Sequence, residues 1–310
     1  FSFVYRTSDG NVDGDSNDWY GIASTTAHDT VISAGEFIYT GVPADERTEG
    51  ADPDADYDIT QVRFSGDTNH LFVLVVMQDI TATSNPHIAF NVDTDQLGGD
   101  PALTWLAPDD DTATVKSADQ RGERNVSLHE TPTGLDIELH AGGAWYAPPT
   151  GSSDSIGFNT TTNAIEAHIR WNDLSVVLPR QVRFTLASYD NVVSWNSDGN
   201  ATFSVSNGDA LDVMTPHVGS ANAFARDLYD YIYDSYVTVP FNKTGKVNHY
   251  PDTPRVSSPA NNVIFSDTEN IIAFQFNAND VDSMAARDSA IRLQVSRFTD
   301  FSALVVDSGF

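Results

Sequence analysis

The stretch QVRFSGDTNHLFVLVVMQDI, residues 61–80, decides the fold class. It contains two runs rich in β-branched and aromatic residues, QVRFSG (61–66) and HLFVLVVMQDI (70–80), and such runs are typical of strands. The residues between them, Gly-Asp-Thr-Asn, favour a tight turn. The stretch therefore predicts a β-hairpin, in which two antiparallel strands are joined by a short turn.

Strand-like segments continue along both sides of this hairpin. They are FSFVYR (1–6), PHIAFNVDTD (86–95), GLDIELHAGG (134–143), AIEAHIRW (164–171), VRFTLASYD (182–190), ATFSVS (201–206) and DYIYDSYVTVPF (230–241). Gly, Pro, Asn and Asp separate these segments, which together give roughly eight to ten strands and predict an all-β, antiparallel, jelly-roll-like sandwich. The segment GSANAFARDLYDYIYD (219–234) stays open as a helix leading into the last strand.

The charge of the chain limits its partners. Lys and Arg number 16 against 44 Asp and Glu, for a formal net charge of -28, and 36 of the 44 acidic residues are Asp. Asp prefers turns and caps, and it is the short oxygen ligand of calcium loops. Calcium-bound loops are therefore predicted, with a salt-adapted acidic surface as the alternative. Without clusters of Lys and Arg, the chain is predicted to bind neither nucleic acid nor anionic lipid.

Other features of composition indicate a protein of the cell exterior. The chain has no Cys, which excludes disulfides, thiolate zinc sites and Cys nucleophiles. No apolar stretch approaches the length of about 18 residues that a membrane helix needs. Because FSFVYR already resembles a strand, a leader is expected to have been removed. Four Asn-x-Ser/Thr triplets, at Asn125, Asn159, Asn200 and Asn242, are compatible with glycosylation.

Five short segments stand in a recognisable order between residue 5 and about residue 215. They are NVDGDSNDWYGI (11–22), DYDITQVRFSGDTNHLFVLVVMQD (56–79), HIAFNVDTDQLGGDP (87–101), NAIEAHIRWNDL (163–174) and VRFTLASYD (182–190). In these segments the chain resembles the family 9 carbohydrate-binding-module-like (DOMON-like) domains. The resemblance implies a β-sandwich whose loop aromatics clamp a sugar, although no motif maps that clamp onto particular positions. Arg170 stands where the family usually has Pro, and the acidic stretches 41–56 and 107–123 are long.

A change of composition marks a second unit near the end of the chain. KVNHYPDTPRVSSPANN (246–262) is rich in Pro, Asn and Ser, as linkers are. The short strand-like runs that follow resemble the first part of a bacterial fibronectin type III-like module. We predict a carbohydrate-binding-module-like sandwich at 1–245, a linker at 246–258 and a partial fibronectin type III-like module at 259–310. About 60 residues cannot close both sheets of such a module, so a longer, multidomain protein is expected.

Acidic residues crowd the amino-terminal loop, where four Asp occupy the ten positions from 9 to 18. Like charges this close repel unless a cation screens them. The loop begins as an EF-hand does, but Tyr20 stands where the bidentate Glu is required, so a calcium site completed elsewhere is predicted. Asp pairs at i, i+2 also aim two carboxylates to one side of an extended segment. The predicted metal ligands are Asp9, Asn11, Asp13, Asp15, Asp18, Asp56, Asp58, Asp93 and Asp95.

Tryptophans divide into two groups by their sequence context. Trp19 and Trp171 stand in strand-start motifs and are predicted to pack in the sandwich core. Loop aromatics flanked by Gly, Pro and Asn instead suit stacking on sugar rings. The predicted ligand-binding residues are Trp105, Trp145, Tyr146 and Trp195. The alternative is that these four pack long loops onto the sandwich or onto a neighbouring subunit.

Two functional hypotheses follow, and neither is catalytic. The chain has no G-x-S-x-G, H-E-x-x-H or P-loop motif, and its acid pairs are too numerous to single out an acid and a base. The first hypothesis is a calcium-stabilised module that binds a polysaccharide or glycan, within a larger secreted or surface protein such as a glycoside hydrolase. The second is a structural subunit of an extracellular filament, surface layer or adhesin, whose copies pair through edge strands.

Overall fold

The chain forms two compact units, residues 1–247 and residues 248–310. The computed structural model describes residues 12–44, 57–80, 86–94, 114–115, 122–131, 134–141, 144–146, 154–190, 193–195, 201–203, 210–214, 232–233, 236–247, 255–258, 275–277, 294–296 and 304–307. The regular structure in these ranges is β, apart from a short 3-10 helix at Ser16–Asp18.

The strands are numbered in chain order. They are β1 Asp29–Ser33, β2 Glu36–Thr40, β3 Ile59–Gly66, β4 His70–Met77, β5 Pro86–Asp93, β6 Thr114–Val115, β7 Arg124–Thr131, β8 Gly134–Ala141, β9 Ala144–Tyr146, β10 Ser155–Asn159, β11 Ala164–Arg170, β12 Arg180–Asp190, β13 Val193–Trp195, β14 Ala201–Phe203, β15 Ala210–Val213, β16 Ile232–Tyr233, β17 Val237–Phe241, β18 Arg255–Ser258, β19 Gln275–Asn277, β20 Gln294–Ser296 and β21 Leu304–Asp307.

Two antiparallel sheets form the body of the first unit. The first sheet has the strand order β1-β2-β3-β4-β11-β10, and the second has the order β15-β12-β5-β7-β8-β9, with β17 also paired to β12. Two small pairs accompany them, antiparallel β13 with β14 and parallel β6 with β16. The predicted all-β, antiparallel sandwich is confirmed. The predicted strand FSFVYR lies outside the described residues.

The hairpin predicted at residues 61–80 is present as β3 and β4. Phe64 pairs with Val73 and Gly66 pairs with Leu71 in antiparallel register. The turn is closed by the Asp67 carboxylate, which accepts hydrogen bonds from the backbone N–H of Asn69 and His70, each at 2.7 Å. A short Asp side chain suits this turn because it can reach its own following backbone.

Aromatic rings join the two sheets across the core. Phe64 of the first sheet stacks on Phe184 of the second with ring centroids 4.2 Å apart, and Phe90 meets Phe64 edge-on at 6.5 Å. All three side chains are buried. Side chains on a strand alternate between its two faces, so the residues between these core positions face outward.

Trp171 and Trp19 occupy different places. Trp171 is buried, its indole N–H donates to the Asp67 carbonyl at 2.8 Å, and its ring meets Phe241 edge-on at 4.9 Å. Its predicted core position is confirmed. Trp19 is only half-buried, and its indole N–H donates a hydrogen bond to Glu166 on the outer side of the first sheet. The prediction that Trp19 packs in the core was therefore wrong.

The second unit contains two strand pairs in its described residues. β18 pairs with β19 and β20 pairs with β21, both antiparallel. β18 falls inside the predicted linker 246–258, whereas Lys246 and Val247 belong to the first unit. In the ranges given above, no helix has the length and apolarity needed to cross a membrane.

Candidate functional site

The outward face of the second sheet carries polar side chains, and yet it is buried. The intervening residues Ile88, Phe90 and Val92 of β5 point into the core. The polar face, as we call the outward set, consists of His87, Asn91, Asp93, Asn125, Ser127, His129, Glu138, Arg183 and Thr185. Buried polar groups require hydrogen-bond partners, and an antiparallel sheet more often leaves its outer face in water. This face is therefore the strongest candidate for a functional site in the described residues.

A short chain of hydrogen bonds runs through the centre of the polar face. His87 Nε2 lies 2.8 Å from Ser127 Oγ, and Ser127 Oγ lies 3.0 Å from His129 Nδ1. Ser127 and His129 are fully buried. A hydroxyl has one proton, so Ser127 can donate to one ring and accept from the other, which couples the tautomers of the two imidazoles.

Burial favours the neutral forms of His87, His129 and Glu138 on this face. Burial lowers the pKa of His129 to about 4, and burial together with the neighbouring His129 places the pKa of His87 well below its ordinary value. Burial, reinforced by Asp136, raises the pKa of Glu138 to about 7. Near pH 6 both imidazoles are therefore uncharged and Glu138 is mostly protonated. The centre of the face offers hydrogen bonds without net charge.

One row of this sheet crosses five of its strands. In the antiparallel register Thr185 pairs with Asn91, Asn91 with Asn125, Asn125 with His140, and His140 with Trp145. Asn91 Nδ2 donates to Asn125 Oδ1 at 2.9 Å. Amide side chains both donate and accept, which is what the recognition of hydroxyl groups requires. The row ends on β9, the last strand of the sheet.

A buried ion pair closes one end of the polar face. Arg183 forms a salt bridge with Asp93, and both side chains are almost completely buried. The Arg183 guanidinium also lies over the Tyr236 ring, 4.6 Å from its centroid. Because the charges of Arg183 and Asp93 cancel, this end of the polar face carries no net charge.

The arrangement is suited to holding a neutral, hydrogen-bonding partner. Ser127 between two imidazoles has the residue types of a nucleophile with its base. However, its hydroxyl is buried and already engaged on both sides, which favours a binding or packing role. The face supplies amide, hydroxyl, imidazole and protonated carboxyl groups within one surface.

The predicted ligand-binding aromatics are distributed over separate elements. Trp145 and Tyr146 lie on β9, where Trp145 pairs with His140 and Tyr146 with Leu139. Trp195 ends β13 and pairs with Ala201 of β14. Trp105 lies outside the described residues. The structure therefore connects Trp145 to the polar face by register and places Trp195 in a separate hairpin.

The described acids of the amino-terminal loop make local hydrogen bonds. Asp13 Oδ1 accepts from the Asp15 N–H at 2.9 Å, and Asp15 Oδ1 accepts from the Asn17 N–H at 2.9 Å, which caps the helix that ends at Asp18. The bonds from Asn17 lower the pKa of Asp15. Asp9 and Asn11, predicted with these acids, lie outside the described residues. Over the part of the chain that is described, no three His, Cys, Asp or Glu are placed to hold a metal ion.

The two predicted acid pairs are each described in part. The Asp58 carboxylate accepts from the Ala44 N–H at 2.7 Å, just before β3 of the first sheet. Asp93 ends β5 of the second sheet and pairs with Arg183. Their predicted companions, Asp56 and Asp95, lie outside the described residues. Among the described acids, Asp13, Asp15 and Asp58 each use one carboxylate oxygen to accept from a backbone N–H, and Asp93 pairs with Arg183.

Two buried glutamates on the first sheet hold the amino-terminal segment, residues 12–22. Glu166 Oε2 accepts from the N–H groups of Asp13 and Gly14 at 3.3 and 3.2 Å, and Glu166 Oε1 accepts from the Trp19 indole at 3.1 Å. Gly14 has a φ of 72°, and a Cβ there would lie 2.7 Å from the backbone N of Asn159. Glycine is therefore required where the segment crosses β10 and β11.

Glu36 anchors the other end of the same segment. Its carboxylate accepts from the Tyr20 N–H at 2.7 Å and the Gly21 N–H at 3.1 Å, and it forms a salt bridge with Arg63 at 2.9 Å. Burial raises the pKa of Glu36, although Arg63 and the backbone donors oppose that shift. The segment thus crosses the outer side of the first sheet from β10 to β2. Two carboxylates, rather than an apolar patch, attach it.

Sequence reasoning missed the polar face and both glutamates. Alternation in PHIAFNVD and RNVSLHET did indicate outward polar residues, and such residues are normally in water. Glu36 and Glu166 carried one signal, which is that only 8 of the 44 acids are Glu. A Glu within a strand among so many loop Asp therefore marks a special position.

Neither a protein-family model nor a curated protein sequence matches this chain.

Proposed function

We propose that this chain is a non-catalytic extracellular module that binds a neutral carbohydrate at the β9 edge of its second sheet, where the buried polar face ends. The observation that carries the proposal is the row from Asn91 through Asn125 to Trp145, which sets amide groups in line with an aromatic residue. Sugar sites combine hydrogen-bonding side chains with aromatics in this way. The resemblance of five sequence segments to the family 9 carbohydrate-binding-module-like domains supports the same assignment.

The chemistry of the face favours an uncharged ligand. His129 and Glu138, with pKa values of about 4 and about 7, are both neutral over much of the range between these values. Hydroxyl groups of a neutral sugar donate and accept at once, so they match amides, a serine and neutral imidazoles. A charged ligand would have to lose its hydration among groups that cannot compensate its charge. The ligand would approach from the β9 edge, where Trp145 and Tyr146 lie.

A thermal-shift experiment tests the proposal. The full chain is heated at pH 6 with soluble β-glucan, xylan, mannan and chitin oligosaccharides, and with polygalacturonate as the charged comparison. One neutral glycan is expected to raise the melting temperature, because a ligand that binds only the folded state stabilises it by about 2.7 kcal/mol at one hundred times its Kd. The variant W145A should lose the shift. The matched control Y20A removes a half-exposed aromatic of the amino-terminal segment, residues 12–22, and should keep the shift.

The result that would overturn the proposal is equally direct. If no neutral glycan shifts the melting temperature, or if Y20A loses the shift as W145A does, the β9 edge is not the sugar site. A W195A variant separates the two aromatic elements, since Trp195 lies in the β13–β14 hairpin and is expected to contribute nothing.

A second candidate is a structural subunit of an extracellular filament, surface layer or adhesin. It is favoured by the complete burial of Asn125, Ser127 and His129, because a face packed this tightly serves a rigid scaffold. Under this function soluble glycans leave the melting temperature unchanged. Sedimentation and electron microscopy at rising protein concentration should then show ordered assemblies of the chain.

A further inference from the structure

Three of the four Asn-x-Ser/Thr triplets lie in described residues, and their surroundings differ sharply. Asn125 is inside strand β7, Asn159 is the last residue of β10, and Asn242 follows the end of β17. Asn200 lies outside the described residues. A glycan on Asn is bulky and hydrated, so an acceptor must stand at the surface of the folded protein.

Asn125 cannot carry a glycan in this fold. It is fully buried in the middle of the second sheet, and its side-chain oxygen accepts a hydrogen bond from Asn91 at 2.9 Å. Its nearest strand neighbours are Asn91 on one side and His140 on the other. A sugar attached there would have no space unless the sheet opened.

Asn159 stands at the turn from β10 to β11, with Thr160 and Thr161 exposed beside it. Its carboxamide oxygen accepts from the Thr161 N–H at 2.8 Å. A carboxamide is planar, so an oxygen turned toward the loop directs the nitrogen away from that bond. Among the described residues no group hydrogen-bonds to this nitrogen.

Asn242 repeats this arrangement at a second turn. Its carboxamide oxygen accepts from the Thr244 N–H and the Thr244 hydroxyl, both at 2.8 Å, and from the Lys246 N–H at 3.2 Å. Lys243 and Thr244 are exposed. Three donors engage the carboxamide oxygen. Among the described residues, the carboxamide nitrogen of Asn242 is therefore the atom that remains available to react.

We propose that Asn159 and Asn242 are N-glycosylation sites of this chain and that Asn125 is not. The donor is an oligosaccharide linked through a diphosphate to a polyisoprenoid lipid. The Asn nitrogen forms a bond to C1 of the first sugar, the bond between C1 and the phosphate oxygen breaks, the nitrogen loses one proton, and the lipid diphosphate leaves. The proposal shares with the proposed function only the extracellular location, and it does not depend on glycan binding.

The two sites lie at opposite ends of the sandwich. The turn that follows Asn159 contacts the end of β4, where the Met77 N–H donates to the Asn163 carbonyl at 2.8 Å. The turn that contains Asn242 lies beside the start of β4, because Gly245 approaches the backbone of Asp67. Glycans at these places would extend from the ends of the strands.

Site-by-site occupancy tests the proposal. The full chain is secreted from cultured eukaryotic cells, treated with an amidase that removes N-glycans in ¹⁸O-labelled water, digested and analysed by mass spectrometry. Asn159 and Asn242 are expected to carry the label and Asn125 to carry none. Failure to label either Asn159 or Asn242 in the folded, secreted protein, or labelling of Asn125, would overturn the proposal.

Variants separate this proposal from the proposed function. T161V and T244V keep both asparagines but remove the hydroxyl of each triplet, and each should abolish labelling at its own site only. The N159Q/N242Q protein should keep whatever response to neutral glycans the unmodified protein shows. A failed glycan-binding experiment therefore leaves the labelling result intact, and a failed labelling experiment leaves the binding result intact. If a variant does not fold, the occupancy of the unchanged chain decides alone.

Discussion

The indole nitrogen of Trp19 lies 3.1 Å from Oε1 of Glu166, a residue 147 positions further along the chain. The other oxygen of the same carboxylate accepts from the N–H groups of Asp13 and Gly14. One buried side chain thus satisfies three donors of the acidic amino-terminal segment. This contact explains how a strongly negative loop can be attached to a sheet through yet another carboxylate, because the loop presents N–H groups inward.

Replacing Glu166 by Gln should destabilise the protein. The amide keeps one acceptor oxygen but turns an NH₂ group toward donors, so at least one buried N–H loses its partner. We expect the free energy of unfolding to fall by about 2 to 4 kcal/mol, measured by urea denaturation. D79N removes one exposed charge and should change stability by less than about 0.5 kcal/mol. Equal effects of E166Q and D79N would contradict this view of Glu166.

Replacing Trp19 by Phe isolates the indole hydrogen bond. The ring remains but the donor is lost, so we expect a cost of about 1 kcal/mol. In a double-mutant cycle with E166Q, the two changes should be non-additive by at least about 0.5 kcal/mol, since both remove the same contact. Additive effects would show that Trp19 contributes through packing alone.

Replacing Arg63 by Leu leaves the Glu36 carboxylate buried without its cation. Removing one partner of a buried pair typically costs about 3 to 5 kcal/mol. Burial raises the pKa of Glu36, so its protonated form favours the folded state, and the cost of R63L should shrink as the pH falls. Urea denaturation between pH 4 and 7 measures this trend. R180L, which removes an exposed arginine, should show no such pH dependence.

The polar face predicts two opposing effects of pH on stability. The pKa of Glu138 is raised to about 7, so its contribution is complete below its unfolded value near 4.5 and is lost as the pH rises toward 7. The pKa of His129 is lowered to about 4, so its contribution is complete above its unfolded value of 6.5 and is lost as the pH falls toward 4. In the unchanged protein these slopes oppose each other between pH 4.5 and 6.5.

Variants that remove one kind of group should reveal each slope. E138Q should make stability rise with pH across this interval, and the double variant H87Q/H129Q, which removes both imidazoles with lowered pKa values, should make it fall, each by at least about 2 kcal/mol in total. Urea denaturation at half-unit steps of pH measures both curves. Parallel curves for the two variants would contradict the proposed burial of these groups.

Chelation tests whether calcium contributes to stability, as the acidic loops predict. With a formal net charge of -28, a calcium-stabilised chain should melt at a lower temperature after EGTA treatment and recover with millimolar calcium. Under the alternative of a salt-adapted surface, molar NaCl restores stability and calcium adds nothing beyond its ionic strength. Melting that is unchanged by chelation would count against calcium.

Local patterns predicted β3, β4, β5, β8, β11 and β12, because the information for them lies within a few residues, but β1, β2, β7 and β10 were not predicted. The hairpin of β3 and β4 followed from β-branched runs around Asp67, and the core position of Trp171 followed from its place at a strand end. Glu166 and the polar face could not be predicted in the same way. The burial of Glu166 depends on residues about 150 positions away in the sequence. The burial of Ser127 depends on the packing of other parts of the fold against the outer face of its sheet. Alternation shows which residues face outward but not whether water reaches them.

The attachment of the amino-terminal segment to Glu166 also orders events on the ribosome. Gly14 and Glu166 are 152 residues apart, so at about 5 to 20 residues per second the anchor is made roughly eight to thirty seconds after the segment it holds. Throughout that interval residues 12–22 have been synthesised but the Glu166 carboxylate that receives their N–H groups has not. The beginning of this domain is therefore among the last parts of it to settle during translation.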